Sequence, residues 1–437
     1  MPIWDTGSPW PCGSKKFFHG TGMPEQLTIG LLDQQTKGWS AGASFTRILL
    51  KSLELCNEKA DDVILLTTEA HGRYATRYPI VQIPPQPTAL QWLKLRKTHG
   101  IDVVLPVRTF CAEWCPLPKI GWIPDLQHKC LKHFFSEREI QWRDRLNLHF
   151  IEACEAILFS SNAAKNEFDH YHPAHKSPGT PCSFASVIWS EPLASEPQLT
   201  VKKYHLPGDY ILVPNQFWKH KNHGILPAAL EMMARNSPDT PMLVLTGLLA
   251  DGRDPTNKHL SDLLQEIASR GLAAKIQILG HVPYSDLVNL IRQSSAILQP
   301  SLCEGWSTTI EDAKALGVPL ICSDLPVHRE QAPQAAGFFD PADAQSLAEV
   351  LHAAWPKVKG SWASRKEAPA LEQARGRCRQ YGMQLRKMSV DAIKNAGDTN
   401  SWRRSLPRVA RQLVGNQFSW LQKVAGSVRR RSGAPRC

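Results

Sequence analysis

Residues 298–319 read LQPSLCEGWSTTIEDAKALGVP, from Leu298 to Pro319. An apolar run ends at Pro300, a short loop carries Glu304 and Gly305, and a helical pattern begins near Ser307 or Thr308. Gly317, Val318 and Pro319 then turn the chain into another apolar run. Strand, loop, helix and strand in that order predict a parallel α/β unit. A helix that starts just after a strand offers unpaired backbone N–H groups and the positive end of its dipole, which suits phosphate. Gly305 has no Cβ and lets the chain approach a ligand closely. Glu304, at the strand exit, is placed to accept hydrogen bonds from ligand hydroxyls.

The same alternation extends in both directions. Upstream, Tyr210–Pro214, Met242–Thr246, Lys275–Leu279 and Ala296–Pro300 read as strands, and Pro319–Ser323 follows. Helical stretches around 224–235, 257–270, 284–294 and 307–316 separate them. The first half repeats the scheme with strands Leu27–Leu32, Asp62–Thr67, Ile101–Val107, Ile120–Ile123 and Ala156–Ser160, and with helices Phe45–Cys56 and Glu137–Cys154. Between the halves, Pro173 to Pro207 holds six prolines and little periodicity, a hinge signal, although Ser186–Trp189 also reads as a last strand of the first half. The expectation is an α/β protein of two doubly wound domains facing a cleft, where ligands bind at the carboxyl edges of the sheets. The boundaries are 1–190, a linker at 191–207, 208–380, and a basic tail at 381–437.

Charge sharpens that division. The 437 residues carry a formal charge of +11, yet no acidic residue follows Asp398, and nine basic residues from Arg403 to Arg436 supply most of the excess. Trp402, Leu406, Val409 and Leu413 recur at helical spacing, with Arg404, Arg408 and Arg411 on the opposite face. Such a face suits an anionic bilayer surface, so residues 399–437 are expected to touch a membrane. A plain solubilising tail is the alternative. No nucleic-acid partner is expected, because no recognition motif accompanies the few aromatics. No run approaches 18 uninterrupted apolar residues, and Met1–Gly20 lacks the basic start and apolar core of a secretory signal. The eleven cysteines form no framework and no zinc spacing. A reduced cytoplasmic protein without bound metal is expected, peripheral on the inner membrane face where the tail acts.

Three other segments carry chemistry. Tyr210–His223 (YILVPNQFWKHKNH) runs from a strand into a loop with Lys219 and Lys221, cations placed to neutralise an anionic leaving group. Gly38-Trp39-Ser40-Ala41-Gly42-Ala43 lies in the first strand–helix turn. Trp122–His128 ends a strand of the first half, and there Asp125 or His128 is placed to meet a substrate, or else to pack as a loop pair.

Together these segments resemble the retaining, nucleotide-sugar-dependent glycosyltransferases of family four, the group 1 transferases, over residues 205–355 and more weakly over 27–170. Glu304-Gly305-Trp306 opens the family's two-acid motif and Gly317-Val318-Pro319 closes it. Ile278 through Pro283 and Ser323 through Glu330 also look like that family. The resemblance implies two Rossmann-like domains in the GT-B arrangement, with acceptor bound by the first and nucleotide-sugar donor by the second. It implies donor contacts from Gly42, Gln216, Lys219, Lys221, Gly247, Glu304, Gly305, Trp306, Ser307 and Thr308. Acceptor contacts would come from Asp125 and His128, with Glu304, Lys221 and His128 at the chemistry. The family's second acid lies eight positions after the first, which is Asp312, but the glutamate of that residue type is Glu311, and both are candidates for the ribose. Thr308 and Glu311 also match a capping box, in which Glu311 serves the helix start. The family's Arg falls on Gln216 when its Lys is Lys221, which leaves Lys219 as the substitute cation.

The implied reaction moves a hexose-type sugar from a nucleoside diphosphate to the hydroxyl of a lipid-linked or polysaccharide acceptor of the bacterial surface, with retention and without metal or other cofactor. A sugar-nucleotide epimerase or phosphorylase on the same scaffold, and a non-enzymatic adaptor built on the basic tail, are the competing readings.

Overall fold

A computed structural model describes residues 26–34, 40–56, 61–68, 74, 76–108, 112, 114–174, 179–186, 188, 193–251, 254 and 256–398. Seven strands form the first sheet: β1 (Thr28–Leu32), β2 (Asp62–Thr67), β3 (Ile80–Gln82), β4 (Val103–Val107), β5 (Lys119–Ile123), β6 (Ala156–Phe159) and β7 (Thr180–Pro181). Six form the second: β8 (Tyr210–Pro214), β9 (Met242–Thr246), β10 (Ile276–Gly280), β11 (Ala296–Gln299), β12 (Leu320–Ser323) and β13 (Gly337–Phe339). The orders are β3-β2-β1-β4-β5-β6-β7 and β10-β9-β8-β11-β12-β13, with every pairing parallel. Each order reverses once, between β1 and β4 and between β8 and β11. Crevices for ligands open at such points.

The helices are α1 (Ser40–Cys56), α2 (Ala89–His99), α3 (Gln127–Cys130), α4 (Glu137–Ala153), α5 (Asn162–Tyr171), α6 (Pro197–Lys203), α7 (Leu226–Asn236), α8 (Lys258–Ser269), α9 (Tyr284–Gln293), α10 (Thr308–Ala315), α11 (Pro326–Gln331), α12 (Ala344–Val358) and α13 (Glu367–Asp398). Strands covered on both faces read as unbroken apolar runs, and all five residues of β1 and of β4 are buried. Their side chains alternate between two cores. Ile29, Leu31, Val63 and Leu65 pack with Phe45 and Leu49 of α1 and with Leu385 of α13. Leu32, Ile64, Leu66 and Val104 pack with Trp92 of α2, Phe150 of α4 and Phe168 of α5. The second sheet is sandwiched in the same way, by α7 and α12 on one side and by α9 and α10 on the other.

Three expectations change. Ser186 and Ile188 lie in no strand; the edge of the first sheet is the two-residue β7, whose Pro181 has no N–H to donate further. The proline-rich linker contains α6, which opens on Pro197 at a position where a missing N–H costs nothing. The chain from 381 to 398 is not part of a free basic tail. It completes α13, which leaves the second domain and packs back on the first. Tyr381, Leu385, Met388 and Ala392 recur at spacings of four, three and four and are all buried in the first domain's core. Gly382 permits the close crossing with α1, because a Cβ there would lie 2.1 Å from the Ser52 carbonyl oxygen. Arg386 Nε donates to Asp61 Oδ2 at 2.5 Å to fix the register. The basic segment 399–437 lies outside the described residues.

Candidate functional site

A cleft of about 650 Å³ lies between the domains. The second domain contributes the exits of β8 (Asn215, Gln216) and β9 (Thr246, Gly247), then His281 and Tyr284 at the start of α9, and Thr308, Thr309 and Asp312 of α10. The first domain contributes one face of α1, with Ala43, Ser44, Arg47, Ile48 and Lys51. Gly247 has φ of 146°, and a Cβ on it would meet the Asn215 carbonyl oxygen at 2.2 Å, so only glycine lets these two strand exits run together. Gln216 clasps the same junction, its Oε1 accepting from Leu248 N at 2.8 Å.

Lys221 forms part of the cleft wall, and Glu304 stands behind it. Glu304 Oε1 accepts from Lys221 Nζ at 2.5 Å, Ser301 Oγ at 2.7 Å and Gln299 Nε2 at 2.9 Å. Burial alone would raise the pKa of this carboxyl. The neighbouring charges of Lys221 and His220, with the hydrogen bonds from Lys221 and Ser301, outweigh it and bring the pKa down to about 2. The expectation that Glu304 faces the cleft is therefore modified: it reaches the cleft through Lys221, because three donors converge on one of its oxygens.

The start of α10 is also built differently from the sequence expectation. Ser307 is the N-cap, its side chain accepting from Ile310 N at 3.3 Å. Its own N–H donates to Gln331 Oε1 at 3.0 Å, and its carbonyl accepts from Gln331 Nε2 at 2.8 Å. The Ser307 amide is thus taken by α11, while Thr308 and Thr309 line the cleft. No capping box joins Thr308 and Glu311. Glu311 turns to the opposite side, where Lys314 Nζ and Gln331 Nε2 donate to it at 2.8 and 3.1 Å. One residue further, about 100° round the helix, Asp312 lines the cleft. Burial pushes its carboxyl up to about 7 against a hydrogen bond from Ser186, with the charge of Glu311 adding to the rise.

Several expected site residues do other work. Gly305 touches the first domain: a Cβ there would lie 1.9 Å from the Pro124 carbonyl oxygen. Trp306 Nε1 donates to the Phe184 carbonyl oxygen at 2.8 Å, so both residues join the domains and neither lines the cleft. Asp125 Oδ1 accepts from Gln127 N at 3.1 Å. His128 is 2% exposed and bonded through Nε2 to Asp144 Oδ1 at 2.9 Å; burial lowers its pKa more than Asp144 raises it. Neither forms the cleft wall. Lys219 is exposed and does not line the cleft. Gly42 is buried in the first turn of α1, its carbonyl accepting from Thr46 Oγ1 at 3.1 Å, while Gly38 and Trp39 lie outside the described residues.

Among the cleft residues that the sequence reading passed over are Arg47, Lys51, His281 and Tyr284. A signal was present for the first two: the two cations of α1, four residues apart, share a face with Ala43 and Ser44. Among the described residues no group of three His, Cys, Asp or Glu side chains could hold a metal ion.

Residues 202–355 match the model of the family described as glycosyl transferases group 1. The O-antigen chain mannosyltransferase B of Escherichia coli is 30% identical over 115 residues, 26% of this chain and 30% of that protein. The O-antigen chain mannosyltransferase RfbU of Salmonella typhimurium is 25% identical over 143 residues, 33% of this chain and 37% of that protein. The matches span about a third of these relatives. Among solved structures, a Rickettsia africae glycosyltransferase superposes with a TM-score of 0.62 at 16% identity, covering 84% of this chain and 98% of that one. Anabaena HepE in complex with UDP and glucose gives 0.60 at 15% identity, covering 83% and 99%. The sucrose-phosphate synthase of Thermosynechococcus elongatus gives 0.60 at 14%, covering 89% and 100%. The fold is that of the two-domain GT-B glycosyltransferases.

Proposed function

We propose that the protein is a glycosyltransferase that moves a hexose-type sugar from a nucleoside diphosphate to an acceptor hydroxyl. The observation that carries this reading is the cleft at the β8/β11 switch point, whose second-domain wall, with Lys221 and Asp312, lies in the segment that matches the family model. Positive charge grows at the anomeric carbon as the bond to the diphosphate breaks, and negative charge grows on the leaving oxygen. Lys221, held in place by Glu304, and the N-terminal end of α10 at Thr308 stabilise that oxygen. Glu304 supplies negative charge behind the reacting centre. Asp312 accepts hydrogen bonds from the ribose.

The contacts of Gly305 and Trp306 with the first domain keep the lobes shut and exclude water, which favours transfer over hydrolysis. The acceptor enters from the first domain, and as the new glycosidic bond forms its hydroxyl passes its proton to the departing diphosphate oxygen. Transfer with retention, without a metal ion, to a lipid-linked or polysaccharide glycan follows from the family resemblance. The names of the two O-antigen mannosyltransferases favour mannose among hexoses. The basic segment 399–437 would bring the enzyme to an anionic membrane surface, on the cytoplasmic side.

The test uses the full chain. Melting is followed with UDP, GDP, ADP and their hexose conjugates, and the stabilising donor is then incubated with glycan acceptors. One nucleoside diphosphate and its sugar should raise Tm by mass action, and labelled sugar should appear in the acceptor. Epimerised donor without transfer, or no nucleotide that shifts Tm, overturns the proposal.

A further inference from the structure

Within its own domain, the candidate diphosphate site holds little net positive charge. Lys221 is the cation on that wall, and Glu304 lies 2.5 Å from its Nζ. Gln216 stands where the family resemblance implies an arginine; it is neutral, and its Oε1 is committed to Leu248 N. Lys219 is exposed and is not part of the cleft wall. Asp312, on the same wall, brings a carboxyl rather than a cation.

The opposite wall is different. Along α1, Ala43, Ser44, Arg47, Ile48 and Lys51 face the cleft. Lys51 is partly offset by Glu54, whose Oε2 lies 3.1 Å from its Nζ. Arg47 stacks on an aromatic ring, its Cζ 5.6 Å from the centroid of Tyr74, an arrangement that steadies a planar guanidinium. Arg47 and Tyr284 line the cleft from its two facing walls.

We infer that the donor's diphosphate is gripped from both domains, with Arg47 of α1 supplying the second cation that the donor domain lacks. This rests on the donor reading above and adds the residue that completes it. An arginine offers a forked set of N–H donors matched to phosphate oxygens, which a lysine does not. Because Arg47 belongs to the first domain, the diphosphate ties the two domains together, and the grip is complete only when they are closed. A nucleoside or monophosphate, lacking the outer phosphate, gains less from closure.

Calorimetric titration of the full chain with the nucleoside, monophosphate and diphosphate of the base that stabilises it tests this directly. In the wild type the diphosphate should bind much more tightly than the monophosphate. Arg47→Gln should lose about tenfold or more in diphosphate affinity with little change for the monophosphate, so that the increment from the outer phosphate collapses. Arg47→Lys, which keeps the charge and is the milder change for folding, should lose an intermediate amount. Equal diphosphate affinity in wild type and Arg47→Gln, at unchanged Tm, refutes the inference and leaves the donor reading standing. So does an equal loss for all three ligands, which would assign Arg47 to the base or ribose. If the wild type binds no nucleoside diphosphate, the donor reading itself falls.

Discussion

The first sheet runs β3-β2-β1-β4-β5-β6 before its added edge strand, and the second runs β10-β9-β8-β11-β12-β13, so strand for strand the two domains wind the same way. They differ in what stands at the carboxyl ends of the strands. In the second domain one ordered loop after another brings polar groups to a single cleft: Gln216 and Lys221 after β8, Gly247 after β9, Thr308 and Asp312 after β11. In the first domain the strand exits are occupied with themselves. Asp33, just past β1, accepts from Thr46, Thr67 and Tyr74, and His128, past β5, is locked to Asp144. That domain meets the cleft through the side of α1 and Ser186. A shared topology therefore fixes where a ligand can lie, while the loops decide which domain grips it.

The largest test of this contrast is truncation. Ending the chain after residue 380 removes Tyr381, Leu385, Met388, Val390 and Ala392 from the first domain's core. At roughly 2–5 kcal/mol for each large side chain, the loss is on the order of the whole stability of a domain, about 5–15 kcal/mol. The first domain should unfold while the second keeps its structure, as limited proteolysis would record. Ending the chain after 398 should leave both intact. Equal protease resistance of the two truncations would show that α13 is not integral to the first domain.

The two acids of the second domain should titrate in opposite senses. Glu304 has a folded pKa of about 2 against an ordinary 4.5, so its stabilisation of about 3 kcal/mol is present above pH 4.5 and lost as pH falls towards 2. Asp312 is raised from 3.8 to about 7, so the folded state favours its proton, and that contribution is full below pH 3.8 and lost as pH rises through 7. Denaturation of Asp312→Asn should then match wild type near pH 4 and exceed its stability at pH 8 by about 4 kcal/mol. Glu304→Gln should lack the acid-side loss. Parallel pH profiles for wild type and both variants would contradict these assignments.

The smallest effect concerns the latch between the domains. Glu330 of α11 caps α5 of the first domain, accepting from Asn162 N at 3.0 Å, Asn162 Nδ2 at 2.9 Å and Ala163 N at 3.1 Å. Glu330→Gln should cost about 1 kcal/mol of closure, a roughly fivefold larger open population. Paired fluorescent labels on the two domains would read that shift. An unchanged distance distribution would remove Glu330 from the latch.

Much of this was legible in the chain, and the illegible part has physical causes. Doubly buried strands such as Val103–Val107 announce themselves as continuous apolar runs, while Glu304-Gly305 marks a strand exit and Gly317-Val318-Pro319 a strand entry with residues that few other places need. Short edge elements escape notice because Ile80–Gln82 and Thr180–Pro181 are too brief to show a period. The stripe along 381–392 was hidden among arginines and lysines, whose charges suggested a tail although its apolar spacing fits a packed helix.

The sequence by itself determined the two parallel sheets, a cleft at their carboxyl edges, and Lys221 as a cation beside it, because strand burial and turn chemistry are local and leave their pattern in neighbouring residues. Tertiary structure alone put Asp312 rather than Glu311 on the cleft wall, set Glu304 behind Lys221, turned Gly305 and Trp306 onto the first domain, and brought Arg47 of α1 to the facing wall. Those outcomes depend on which groups from distant segments reach the same hydrogen-bond partners first. Gln331 and Lys314 claim Glu311, and the Pro124 carbonyl fills the space beside Gly305.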